Sequence, residues 1–149
     1  MKTKVLMVCL GNICRSPLAE GVLKSKVESI KVFVDSAGTA GYHLGKAPDK
    51  RSIAVAKKHG LDISNQVCRK LTAQDLEEFD MIFAMDKSNY ENIIGLSRSK
   101  EQAKKVRLLL SNGDTIENEV PDPYYGGEDG FEHVYQLIND ACNRIAKEL

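Results

Sequence analysis

A short apolar run, Val5–Val8, stops at Cys9, and Ser16-Pro17 opens a helical pattern after only six intervening residues. That spacing leaves the chain little choice. A strand that ends so close to a helix start must turn back over its own sheet, so the segment VCLGNICRSPLAE, residues 8–20, reads as the first βα unit of an α/β fold. Ser-Pro favours a helix start: Ser caps exposed amides, and Pro at the first helical position has no amide to leave unpaired. Glu20 falls one position too late for a strict capping box.

The rest of the chain repeats the pattern. Val32–Val34, Met81–Met85 and Val106–Leu110 read as further buried strands. Between them, Leu18, Val22, Leu23, Val27 and Ile30 mark one helix, and DKRSIAVAKKHG another with Gly60 as its C-terminal stop. TAQDLEEF and DKSNYENII give two short helices, and residues 131–147 the last. Strands alternating with helices imply parallel pairing and an α/β sandwich, and no repeat or composition shift divides residues 1–149, so one domain is expected. Ligands of such sheets bind where the strands' carboxyl ends meet the loops. Three loops qualify: the one after Cys9, SAGTAGYHLGKAPD after the second strand, and PDPYYGGEDG before the last helix.

Charge and cysteine usage exclude several classes. Lys plus Arg equal Asp plus Glu at 21 each, so no global field draws in nucleic acid, although a local basic pocket is compatible with that balance. The apolar run near Lys2 and Lys4 is too short for a secretion signal, no stretch could span a membrane, and a cytoplasmic protein is the expectation. Cysteines at 9, 14, 68 and 142 form no C-x-x-C pair, which fits neither structural zinc nor a secreted disulfide framework; no metal and no cofactor are expected. Cys142 shares a helical stripe with Phe131, Val134, Tyr135, Ile138 and Ile145 and reads as core. Cys68, in a polar stretch, reads as an ordinary thiol.

Cys9 is different. Strand, bend and helix N-terminus enclose a cup whose main-chain amides and helix dipole suit a tetrahedral dianion. Leu10, Gly11, Asn12, Ile13, Cys14 and Ser16 form its wall; Gly11 permits close main-chain approach, and Asn12 tolerates positive φ. Arg15 adds a bidentate fork that Lys could not reproduce. The same field holds Cys9 as a thiolate, with the Ser16 hydroxyl placed to donate to it, and a thiolate beneath a phosphate is a nucleophile aimed at phosphorus. The competing reading of Cys9 is a buried residue at a strand end.

With these residues in hand the chain resembles the low-molecular-weight protein tyrosine phosphatases. VCLGNICRSPLAE is similar to their phosphate-binding loop, and DSAGTAGYHLGKAPDKRS, FDMIFAMDKSN and DPYYGG…FEHVY resemble later landmarks in the same order. The resemblance implies a three-layer sandwich, with a central four-stranded parallel sheet flanked by helices on both faces and the phosphate loop after the first strand. It implies a phosphocysteine intermediate on Cys9, with Asp122 of the Asp-Pro pair as general acid and then base. It also implies phosphotyrosine proteins or peptides as substrates, and inorganic phosphate or other oxyanions as ligands. Tyr42 and Tyr124, with Tyr125 beside them, become the walls that grip a phenyl ring. Tyr42 places the chain nearer the family's aromatic-walled branch, and Ile13 points to phosphotyrosine where related arginine phosphatases carry Thr.

The chain also departs from the family's pattern. Gln66 stands where relatives often carry a His that buttresses the loop, and Ala84 where some carry Cys. Arsenate reductases of this fold relay oxidation to cysteines after the third strand, and residues 80–100 contain none. Cys14 is the obvious partner for a reversible Cys9 disulfide, or merely a small loop residue. A phosphoarginine phosphatase, a thiol-dependent arsenate reductase and a phosphoprotein-binding module are the alternatives. His43, His59 and His133 read as peripheral, Asp86 as a helix cap with a second role near Arg15, and Ser36 and Asn12 as braces of the loop.

Overall fold

The computed structural model describes residues 2–110, 118–124 and 128–149. Four strands, β1 (Thr3–Cys9), β2 (Val32–Gly38), β3 (Met81–Ala84) and β4 (Val106–Leu108), form one sheet in the order β2-β1-β3-β4, all parallel. The helices are α1 (Arg15–Lys24), α2 (Lys50–Lys58), α3 (Ala73–Glu78), α4 (Lys87–Ile94), α5 (Lys100–Lys104) and α6 (Glu128–Glu148).

Strand alternation sorts the core into two layers. Val5, Met7 and Cys9 of β1 face Leu18, Val22, Val55, Phe131 and Ile138, side chains of α1, α2 and α6. Leu6 and Val8 face the other way, onto Leu76 of α3, Phe79 and Ile93 of α4. The expected sandwich is therefore present, with helices on both faces. Cys9 falls on the α1/α2/α6 side by the same register that buries Val5 and Met7. Among the described residues, no helix is long and apolar enough to cross a membrane.

Several boundaries differ from the sequence reading. The first helix ends at Lys24, where the Ser25 hydroxyl donates to the Val22 carbonyl, and Ile30 is left exposed. Lys100–Lys104 forms α5, a helix absent from the sequence reading, because Ser99 caps Gln102 and buried Gln102 reaches Glu77. The last helix begins at Glu128 rather than 131. Gly60 does follow α2 at φ +81°, the left-handed conformation that stops a helix.

Candidate active site

Ser16 does not cap α1. The helix begins at Arg15, Cys14 occupies the cap position, and no side chain caps the first turn. The Ser16 hydroxyl is engaged elsewhere: it lies 3.0 Å from Cys9 Sγ and accepts from Asn12 Nδ2 at 2.8 Å. The helix's first amides are thus not claimed by a side chain of the loop, which leaves them for an anion.

The proton direction along this network follows from its far end. Glu20 Oε1 is a carboxylate oxygen, so Ser36 Oγ donates to it (2.6 Å), and Lys24 Nζ donates to Oε2. Ser36 Oγ then accepts from Asn12 Nδ2 (3.0 Å), which also serves Ser16. With that donor on its oxygen, Ser16 keeps its own proton available to Cys9 Sγ, which accepts it when Cys9 is a thiolate. The Asn12 main-chain N–H donates to the same sulfur at 3.3 Å. Two donors converging on one sulfur form the pattern that a thiolate accepts.

Asn12 adopts φ 57°, as its residue type allows, and is buried. The main chain of the loop is approached most closely at Gly38. A Cβ there would stand 2.8 Å from the Leu10 carbonyl oxygen and 3.0 Å from the Asn12 nitrogen. At Gly11 the neighbour is the His43 ring, 3.3 Å from where a Cβ would sit.

The loop's carbonyls are held from outside. Cys9 O accepts from Thr39 N, Leu10 O from Ala40 N, Ile13 O from Asp49 N, and Cys14 O from the Ser52 hydroxyl. Asn12 O accepts from Cys68 Sγ at 2.8 Å. In a trans peptide the carbonyl and the following N–H point in opposite directions. Holding these carbonyls outward therefore turns the amides of Leu10, Gly11, Ile13, Cys14 and Arg15 toward the other side.

That side is a cavity of about 300 Å³ lined by Cys9, Leu10, Gly11, Ile13, Cys14, Arg15, Tyr42, His43, Asp122 and Tyr124. Buried Arg15 closes one edge: its Nη1 donates to Asp86 Oδ2 at 2.6 Å and to the Val120 carbonyl at 2.9 Å. Nη2 lies 3.6 Å from Asp122 Oδ2. Burial opposes the guanidinium's charge, yet the neighbouring Cys9, Asp86 and Asp122 hold its pKa above the ordinary value. Burial, then the nearby Asp49, Cys9 and Asp122 charges, push the Cys14 thiol up to about 12, so it stays protonated. Asp122 is partly exposed and accepts from the Tyr124 N–H at 3.0 Å, a local turn.

Of the expected site residues, Asn12 and Ser16 stand behind the lining rather than on it, and Tyr125 lies outside the described residues. Tyr42 and Tyr124 flank the mouth, with His43 between them at centroid distances of 6.5 and 6.4 Å. His43 is therefore no peripheral residue; its place next to Tyr42 in the Gly-rich loop was the only local hint. Nor is His59, whose ring stacks on Tyr135 at 3.8 Å and contacts both Glu132 oxygens at 3.0 Å. Gln66 donates to the Pro17 carbonyl and so braces the first turn of α1, while Asn12 Oδ1 receives the Arg69 N–H. Cys68 is buried beneath the loop rather than being an ordinary thiol in a polar stretch. Asp86 has both expected roles, since its Oδ1 also caps α4 at Asn89.

A family model described as low molecular weight phosphotyrosine protein phosphatase matches residues 4–149. The low molecular weight phosphotyrosine protein phosphatase of Homo sapiens is 42% identical over 97% of this chain and 94% of its own. A protein tyrosine phosphatase from Entamoeba histolytica, solved with Hepes in its active site, superposes with a TM-score of 0.93 at 39% identity, covering 99% and 96% of the two chains. Vibrio vulnificus Wzb, solved with benzylphosphonate, superposes at 0.87 with 35% identity over all of both chains.

Proposed function

The chain belongs to the low molecular weight phosphotyrosine protein phosphatase family, a family of hydrolases, and from that premise we propose how its own residues carry the reaction. The observation that supports the assignment of roles is the convergence of three groups on one cavity: a doubly hydrogen-bonded sulfur, a buried guanidinium and a partly exposed carboxyl.

In the first step the Cys9 thiolate attacks phosphorus. The S–P bond forms as the P–O bond to the tyrosine oxygen breaks. Inward-facing amides and Arg15 hold the three remaining oxygens, stabilising the charge that they share in the transition state. Asp122 gives its proton to the departing phenolate oxygen. In the second step Asp122, now a carboxylate, takes a proton from water as that water attacks phosphorus. The S–P bond breaks, inorganic phosphate leaves, and the Ser16 hydroxyl stabilises the returning thiolate. Every proton and charge is handled by these side chains, so the scheme operates without a metal.

Tyr42 and Tyr124 grip the phenyl ring at the mouth. The benzylphosphonate bound to the Vibrio protein, an oxyanion joined to a phenyl ring, has the shape this mouth and cup would take together. The ligands are therefore phosphotyrosine proteins or peptides and free oxyanions. Residues 1–149 act as one phosphatase domain, in the reducing cytoplasm where Cys9 stays usable. The phosphoarginine and arsenate alternatives are not favoured by the family match or by Ile13 and the cysteine-free stretch at 80–100.

The deciding experiment compares kcat/KM on phosphotyrosine and phosphoarginine peptides of one sequence, with rapid acid quenching to trap phosphocysteine. Preference for phosphotyrosine and label on Cys9 are expected. A preference for phosphoarginine, or label on another residue, overturns the scheme.

A further inference from the structure

Cys68 takes no part in the chemistry above, yet it touches the loop at its most unusual residue. Five carbonyls of the loop are held outward, four of them by main-chain N–H groups or a serine hydroxyl. The fifth, on Asn12, is held by the Cys68 thiol at 2.8 Å. Asn12 is also the loop residue with positive φ, and the peptide that follows it carries the Ile13 N–H. If that peptide turned over, a carbonyl oxygen instead of an N–H would face the bound dianion.

We infer that Cys68 is a positioning residue, whose S–H holds the Asn12–Ile13 peptide in the orientation that presents the Ile13 amide to phosphate. The inference rests on the phosphatase reading of this site. Three further observations support it. Cys68 is buried, and burial together with the nearby Cys9 pushes its thiol up to about 11. It therefore stays a donor at working pH, where a thiolate would repel the carbonyl. Its main chain is pinned on both sides: Cys68 N donates to Lys46 O, and Gly45 N donates to Cys68 O. The next residue, Arg69, donates its N–H to Asn12 Oδ1 and is itself anchored by Asp35 and Asp75. Residues 68 and 69 thus hold both the main chain and the side chain of Asn12. A second carbonyl, Ala47 O, lies much further from the thiol at 3.8 Å.

The test compares Cys68→Ser, which keeps a donor, with Cys68→Val and Cys68→Ala, which have none. The readouts are the inhibition constant of inorganic phosphate and kcat/KM for an aryl phosphate, measured below each variant's melting temperature. Val and Ala should raise the phosphate inhibition constant by about 5–10-fold, while Ser stays within about twofold of the parent protein. A packing role alone would lower the melting temperature without moving the phosphate constant of the folded protein. Unchanged phosphate binding in Val overturns the inference, as does a Ser variant weakened as much as Val. If Ala fails to fold, the Val and Ser pair still decides. A parent protein that neither hydrolyses the aryl phosphate nor binds phosphate would overturn the phosphatase reading and this inference with it; failure of the inference alone leaves the parent active.

Discussion

The loop of residues 9–15 and the segment of residues 118–124 meet at Arg15 but are held in opposite ways. The first is buried at Cys9, Asn12, Cys14 and Arg15, and donors from three surrounding segments fix its carbonyls. The second keeps Val120 buried as an anchor, bonded to Met85 O and to Arg15, and then runs outward so that Asp122 and Tyr124 are partly exposed. The difference fits the tasks proposed for them. Stabilising a phosphoryl transition state requires dipoles that do not reorganise, whereas a group that delivers a proton and then activates water must reach solvent.

Four changes probe that division. Cys9→Ser should lower aryl phosphate turnover by about 10⁴-fold or more while vanadate binding stays measurable, because the rigid cup survives loss of its nucleophile. Loss of binding together with turnover would show that the sulfur also builds the cup. Asp122→Ala should slow substrates with poor leaving groups by about 10²–10⁴-fold and good ones far less, a contrast read from kcat across substituted phenyl phosphates. A uniform loss across that series would give Asp122 a binding role and blur the contrast between the regions.

Asp86→Ala tests the joint between them. It removes one acceptor from buried Arg15 and the cap of α4, and should cost about 3 kcal/mol in urea unfolding and about tenfold in kcat/KM. An unaltered kcat/KM would mean that Val120 O alone aims the guanidinium. The smallest effect is expected behind the acid segment, on α6. Hydrogen bonds from Gln136 and then His59 draw the Glu132 carboxyl down to about 2 from an ordinary value of 4.5. This contribution to stability is present above about 4.5 and is lost as pH falls toward 2. Glu132→Gln should flatten the melting temperature over that interval by a few degrees. An identical acid profile in the variant would remove the Glu132 clasp from the account.

Cys9, Arg15 and the βα turn were readable because their geometry is set within a few residues, by a strand end, a Gly-Asn bend and a helix start. Asp86 was readable for the same reason: a cap is a local device. Its second contact, to Arg15, spans 71 positions and is made by the fold, which sets the turn after β3 beside the start of α1. Ser16 misled because Ser-Pro does mark a helix start, but tertiary contacts with Cys9 and Asn12 claimed its hydroxyl. Gly38 and Cys68 carried no signal at all, and His43 none beyond its place next to Tyr42. Their roles arise from what the sheet places beside them, as with Cys68 and the Asn12 carbonyl 56 positions away.

The order of residues alone therefore determined the alternating elements and the presence of a thiol and a guanidinium at either end of an anion-sized bend. Backbone dihedral preference and side-chain periodicity act over short distances, and they suffice for that. Only the folded sheet decided which donors fasten the loop's carbonyls, where the guanidinium points, and which rings frame the mouth. Those depend on parallel strand register, which brings distant segments within hydrogen-bond reach and leaves each buried polar group to find its partner there.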